Sequence, residues 1–137
     1  MKGTYALLMK LINNSKIRIG SLGLIHFPKG NYLYIGSALN GIEGRVIRHL
    51  SDSKKIHWHI DYLLEKAEVF KVYFLESRKK TECSIADKFF EKFDPVPRFG
   101  SSDCNCTGHL FYGNRNELVD CALKSGMKEL DIIWEKN

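Results

Sequence analysis

The sequence predicts an α/β fold in which a small, mainly antiparallel sheet is flanked by helices. Three observations lead there. The first third of the chain is a series of short β-compatible segments broken by turn residues. From Gly41 the apolar residues recur at every third or fourth position, the period of a helix packed on one face. A second change from β to α pattern follows across residues 69–93. A chain of 137 residues is long enough for one cooperative core and too short for two ordinary domains, so a single domain over 1–137 is expected.

Gly3–Leu11 alternates and is rich in β-compatible residues, which predicts a strand. Asn13-Asn14 is a turn candidate that would return the chain into a second strand at 16–19, forming a hairpin. Leu24–Phe27 is a third β segment, and Pro28-Lys29-Gly30-Asn31 is a turn by composition. A strand resumes at 32–35, and Gly36 is expected to stop it. Next, Ile42, Val46, Ile47 and Leu50 mark one face of an amphipathic helix, with Arg45, Arg48 and His49 between them. Ser51-Asp52-Ser53 ends that helix and offers a cap for a second one, whose apolar face is Ile56, Ile60, Leu63 and Leu64.

The apolar run 69–75 predicts a buried strand, and Thr81 suits the N-cap of a helix over 82–93. Asp94-Pro95-Val96-Pro97 stops that helix, because each proline disfavours helix in the residue before it. Gly100-Ser101-Ser102-Asp103 is an exposed loop by composition, followed by a short strand at 110–112. A helix over 116–124 ends at Gly126, and 129–134 is expected as the closing strand.

Hydrophobic residues make up 44% and charged residues 27%, as in a soluble globular protein. No apolar run approaches the roughly 20 residues needed to cross a bilayer, and the N-terminus lacks a secretory cleavage pattern, so a cytoplasmic protein without membrane contact is expected. Lys and Arg total 21 against 16 Asp and Glu, a net charge of +5 that favours a polyanionic partner. The four cysteines, Cys83, Cys104, Cys106 and Cys121, lack the regular spacing of a secreted disulfide scaffold. Cys104-Asn-Cys106-Thr-Gly-His109 is a compact set of potential metal ligands that Cys83 could complete in space. Its C-x-C spacing departs from the usual C-x₂₋₄-C of structural zinc, which favours reduced, packed thiols.

The motifs that carry chemistry are Gly3-Thr4-Tyr5 on the first strand, Tyr34-Ile35-Gly36-Ser37-Ala38 on a later one, and Arg45-x-x-Arg48-His49 on the helix that follows. Together they resemble the GIY-YIG nuclease superfamily. That resemblance implies a metal-dependent endonuclease cutting phosphodiester bonds, with DNA as the expected substrate and one Mg²⁺ or Mn²⁺ ion as cofactor. It implies that Tyr5 acts as or orients the general base, with Tyr34 beside it. Arg45 would offer the phosphate a planar fork of donors, and His49 lies one turn on over the same helical face.

The family's metal-binding glutamate falls on either Glu82 or Asp87. Five residues rotate a helix by about 500°, so these two side chains diverge by roughly 140° and only one should face the tyrosines. Spacing to Pro97-Arg98-Phe99 favours Asp87. Glu82 is preferred, for its place in the helix's first turn and its longer side chain, the family's residue type. Gly-Thr-Tyr replaces Gly-Ile-Tyr, a small departure. Tyr34 follows Tyr5 by 29 residues, longer than the family spacing, so an inserted hairpin is expected between them.

A mostly archaeal, uncharacterised branch of the superfamily, also found attached to some DNA-repair endonucleases, is more similar still. The further likeness lies in His57-Trp58-His59-Ile60-Asp61-Tyr62, Glu82-Cys83, and the stretch from Phe99 through Cys104 and Cys106 to His109, covering about residues 3 to 112 in all. It implies a DNA-repair protein as a possible partner. Arg48, Lys54 and Lys55 are the candidate nucleic-acid contacts, and such contacts would make binding salt-dependent. His57, His59 and Asp61 diverge on a helix, which suits capping or support better than metal ligation. Two other functions stay open: a catalytically silent nucleic-acid-binding module using the same cleft, and a zinc-organised structural or regulatory protein built around Cys104, Cys106 and His109.

Overall fold

The computed structural model describes residues 1–52, 54–101, 104 and 106–132. Its sheet has five antiparallel strands: β1 (Gly3–Leu11), β4 (Gly30–Ala38), β5 (Glu68–Glu76), β6 (Leu110–Gly113) and β7 (Lys128–Glu129), in the order β6-β4-β1-β5-β7. The expected α/β architecture with a small antiparallel sheet and flanking helices is what forms. β1 is central and almost wholly buried, which explains why its sequence is nearly continuous in apolar residues.

Because β4 and β5 occupy both edges of β1, no edge is left for the hairpin partner expected at 16–19. The chain instead pairs β2 (Ser15–Arg18) with β3 (Leu24–Phe27) as a separate two-stranded ribbon, joined through a 3₁₀ turn at Gly20–Leu22. Ile17, Ile19 and Phe27 anchor that ribbon in the core.

Gly36 does not stop β4, which runs on to Ala38. It sits opposite Tyr5, and a Cβ there would lie 2.4 Å from the Tyr5 ring, so the glycine makes room for an aromatic ring laid across it.

The two faces of the sheet are covered differently. On one lie α1 (Ile42–Leu50) and α2 (His59–Leu64), packed over Tyr5, Leu7, Met9 and Tyr34. On the other lie α3 (Glu82–Phe90) and α4 (Arg115–Lys124), packed over Ala6, Leu8, Leu33 and Ile35. Each fully buried aliphatic or aromatic side chain stabilises the fold by roughly 1.5–3 kcal/mol.

Several helix ends differ from expectation for local reasons. Ile56 lies before α2, because Asp61 rather than a serine closes the capping box at its start, and Ser53 lies outside the described residues. Thr81 occupies the N-cap position of α3, but its hydroxyl bonds the Thr4 hydroxyl at 2.7 Å and ties the helix to β1. Asn114 caps α4, accepting from the Asn116 and Glu117 amides at 2.9 and 3.3 Å. Of the closing strand expected over 129–134, Lys128–Glu129 pairs with β5, while Trp134 lies outside the described residues, as do Ser102 and Asp103 of the expected loop. Among the described residues no helix is long and apolar enough to cross a membrane.

Candidate functional site

Strand alternation places the two tyrosines together. Tyr5 faces Gly36 and Tyr34 faces Leu7 across the β1–β4 pair, which puts both rings on the α1 side with centroids 6.4 Å apart. The β2–β3 ribbon, inserted between them in sequence, contributes no residue to the cleft they line.

α1 crosses this face with Ile42, Val46 and His49 buried at spacings of four and three. Ile47, expected on the apolar face, is 55% exposed, and His49 takes the inward position. There its Nε2 lies 2.7 Å from the Tyr5 hydroxyl, and its Nδ1 lies 3.7 Å from Asp61 Oδ1. The tautomer with Nδ1–H facing the carboxylate leaves Nε2 to accept from Tyr5.

Asp61, fully buried, also accepts from the His57 and Trp58 amides at 2.8 Å each and from both Arg48 terminal nitrogens at 3.0 Å. Burial alone would raise its carboxyl. The nearby His49 ring and the hydrogen bonds from Arg48 and the two amides outweigh burial and hold it well below the usual carboxylate range. Burial pushes His49 the other way, below the ordinary imidazole value against the pull of Asp61, so the ring is neutral near pH 7.

Tyr5, Tyr34, Ser37, Arg45, Trp58 and Glu82 line a cleft of about 280 Å³, joined by Asn40, Lys80, Gly100 and Cys104. Arg45 donates to the Ser37 carbonyl at 3.1 Å, and its guanidinium lies over the Trp58 ring at 4.5 Å. Burial raises the Tyr5 phenol well above its ordinary value, partly opposed by Arg45, and burial raises Tyr34 likewise. The Ser37 hydroxyl oxygen is buried without a hydrogen-bond partner among the described residues.

The two candidate acids separate clearly. Glu82, in the first turn of α3, lines the cleft with its side chain 18% exposed, its Oε2 lying 3.7 Å from His109 Nδ1. Asp87 is exposed on the same helix and outside the cleft lining.

Arg48, expected as a nucleic-acid contact, is held internally. Besides Asp61 it bonds the Lys55 carbonyl at 2.7 Å, and its guanidinium lies 4.3 Å from the Trp58 ring centroid. Lys54 donates to the Ser51 carbonyl at 2.8 Å. Arg48, Lys54 and Lys55 line a second, larger groove of about 600 Å³ whose lining holds no carboxylate among the described residues. Of the remaining histidines, His59 Nδ1 accepts from the Gly100 amide at 2.9 Å and His57 meets Trp58 edge-to-face with ring centroids 4.6 Å apart.

Beside Glu82 lies a second cluster. The ligand atoms of Cys83, Cys104, Cys106 and His109 all lie within 4.8 Å of one another. His109 Nε2 is 3.6 Å from Cys104 Sγ and 3.9 Å from Cys83 Sγ. Spacing alone favours packed thiols; the fold instead converges three sulfurs and an imidazole nitrogen.

Trp58, Ser37 and Gly100 escaped the sequence reading as cleft residues. Gly100 had a signal in its loop composition: its φ of +73° disfavours any side chain, and a Cβ there would crowd Tyr34 at 3.0 Å. Trp58 sits within the His57–Tyr62 motif, where only neighbouring polar residues invited a role.

No curated protein and no solved structure matches the chain. A protein family described as a domain of unknown function, DUF123, matches residues 4–131, and the chain belongs to that family.

Proposed function

We propose that the chain is a metal-dependent endonuclease-like domain that hydrolyses DNA phosphodiester bonds, as its resemblance to the GIY-YIG superfamily suggests. The observation that carries this reading is the convergence of Tyr5, Tyr34, Arg45 and Glu82 on one cleft, with His49 behind Tyr5. The net charge of +5 suits a polyanionic substrate. On this reading the setting is cytoplasmic and a DNA-repair protein is the natural partner.

The donor set fits the cofactor. Glu82 is a hard oxygen ligand in a cleft also lined by Ser37, whose hydroxyl has no partner among the described residues, and Mg²⁺ or Mn²⁺ is commonly held by one or two carboxylates plus water and substrate phosphate. Such an ion, held by Glu82, would supply charge stabilisation at the phosphate oxygens.

The chain's own residues would handle the substrate and the proton. Arg45, already oriented by Ser37 and Trp58, would present its fork to a phosphate. With the Tyr5 phenol raised by burial, a standing phenolate is disfavoured. Tyr5 would instead accept a proton from the attacking water as its own passes to His49 Nε2 across 2.7 Å, and buried Asp61 would stabilise the resulting imidazolium. Tyr34 would position the water or phosphate from the neighbouring strand.

Purified protein incubated with plasmid, branched and single-stranded DNA should cleave in Mg²⁺ or Mn²⁺ and stop in EDTA. Arg45→Ala should lower the rate by about 10²–10³, the usual loss for one transition-state donor, and Tyr34→Phe should also impair cleavage. Salt-dependent binding to every substrate without cleavage would replace this reading with a catalytically silent nucleic-acid-binding module.

A further inference from the structure

We propose that Cys83, Cys104, Cys106 and His109 form a structural zinc site, in which three thiolates and His109 Nε2 hold one Zn²⁺ and tie Cys104, Cys106 and His109 to the first turn of α3.

The spacing is that of ligands around one ion. Tetrahedral zinc, with Zn–S near 2.3 Å and Zn–N near 2.0–2.1 Å, sets neighbouring ligand atoms roughly 3.5–3.8 Å apart. His109 Nε2 lies 3.6 Å from Cys104 Sγ and 3.9 Å from Cys83 Sγ, and no pair in the group exceeds 4.8 Å. All three thiols are free of disulfide bonds.

The donor chemistry selects the ion. Three soft thiolates and an imidazole favour zinc over Mg²⁺ or Mn²⁺, and four protein ligands complete its coordination, which marks a structural rather than a catalytic site. Binding would release the three thiol protons to solvent.

The surroundings match a metal-bound histidine. With Nε2 toward the sulfurs, the buried His109 Nδ1 faces Glu82 Oε2 at 3.7 Å and has no hydrogen-bond partner among the described residues, so a small approach of that carboxylate on metal binding would fix the ring's tautomer as in other zinc-bound histidines. The site also adjoins the cleft, because Cys104 lines it and Cys83 follows Glu82 directly. Zinc would therefore hold one wall of the cleft, a role that stands whether or not the cleft cuts DNA.

The test is metal content and coordination of the full chain, purified under reducing conditions without chelator. Elemental analysis should give one zinc per chain. Exchange with Co²⁺ should give the intense visible bands of tetrahedral coordination and a thiolate-to-cobalt charge-transfer band. Cys83→Ser, Cys104→Ser and Cys106→Ser should each weaken zinc affinity at least tenfold, while Cys121→Ser keeps full occupancy. Because a ligand variant can misfold, wild-type protein supplies a second measurement: zinc should protect three thiols from a thiol reagent and a strong chelator should expose them. Absence of stoichiometric zinc in reduced wild-type protein, octahedral cobalt, or unchanged affinity in Cys83→Ser would overturn the proposal.

Discussion

The two faces of the sheet are made by the same strands and carry opposite kinds of side chain. On the α3/α4 face, Ala6, Leu8, Leu33 and Ile35 meet Phe89, Phe111 and Leu118 in an apolar cluster, and the buried Thr4 hydroxyl beside it is satisfied by Thr81. On the α1/α2 face, one residue along each strand, Tyr5 and Tyr34 meet a buried His49 backed by a buried Asp61. Burying polar groups is unfavourable unless they are paired, and on this face Asp61 is paired with Arg48 and Tyr5 with His49. The difference teaches that packing and chemistry are separable in this protein: substitutions on one face should change stability alone, those on the other should change both.

The largest expected effect is at Asp61. Asp61→Ala removes the partner of Arg48, His49 and two amides at once. Breaking a buried ion pair from one side destabilises by about 3–5 kcal/mol. Urea melts should show that loss, and any DNA cleavage per folded molecule should fall with it. Leu8→Ala on the opposite face should destabilise by about 3 kcal/mol through the cavity it leaves, with cleavage per folded molecule unchanged. Equal losses of activity in the two variants would erase the distinction between the faces.

Gly36→Ala sharpens the comparison at smaller scale. Its methyl would meet the Tyr5 ring at 2.4 Å, so Tyr5 must shift from His49. Overpacking of this kind costs about 1–3 kcal/mol. The variant should therefore lose less stability than Leu8→Ala and more cleavage activity. A Gly36→Ala protein as active as wild type would mean that the Tyr5–His49 contact is not used.

What the sequence made legible follows the same division. The apolar run of β1 and the period of α1 announce themselves, because burial imposes its pattern locally. Competition between strands does not: Asn13-Asn14 looks like a hairpin turn, and only the occupation of both β1 edges by β4 and β5 rules that pairing out. Gly36 signals a strand end in one dimension and a close approach in three. Thr81 looks like a cap, but its hydroxyl has a partner 77 residues away. Glu82 could be preferred over Asp87 on chemical grounds, whereas Cys83 lies too far from Cys104 for local spacing to link them. His49 was legible as a site neighbour, while Asp61 behind it emerged only once α2 was in place.

The smallest effect tests the charge state of the polar face. Burial holds the His49 imidazole below its ordinary value, and burial does the same to His59. Below the ordinary imidazole value of about 6.5 the unfolded chain therefore binds protons that the folded chain refuses, so stability must fall as pH drops through that value. Each such histidine contributes a slope of at most about 1.4 kcal/mol per pH unit until its folded form titrates. Asp61 extends the decline at lower pH with the same sign, because its depressed carboxyl stays ionised in the fold after the unfolded carboxylate has taken up a proton. Urea melts between pH 7.5 and 5 should show the decline, and His49→Gln should flatten it while leaving the His59 contribution. A slope unchanged in His49→Gln would mean that folding leaves the proton affinity of His49 unshifted and would place the titration elsewhere.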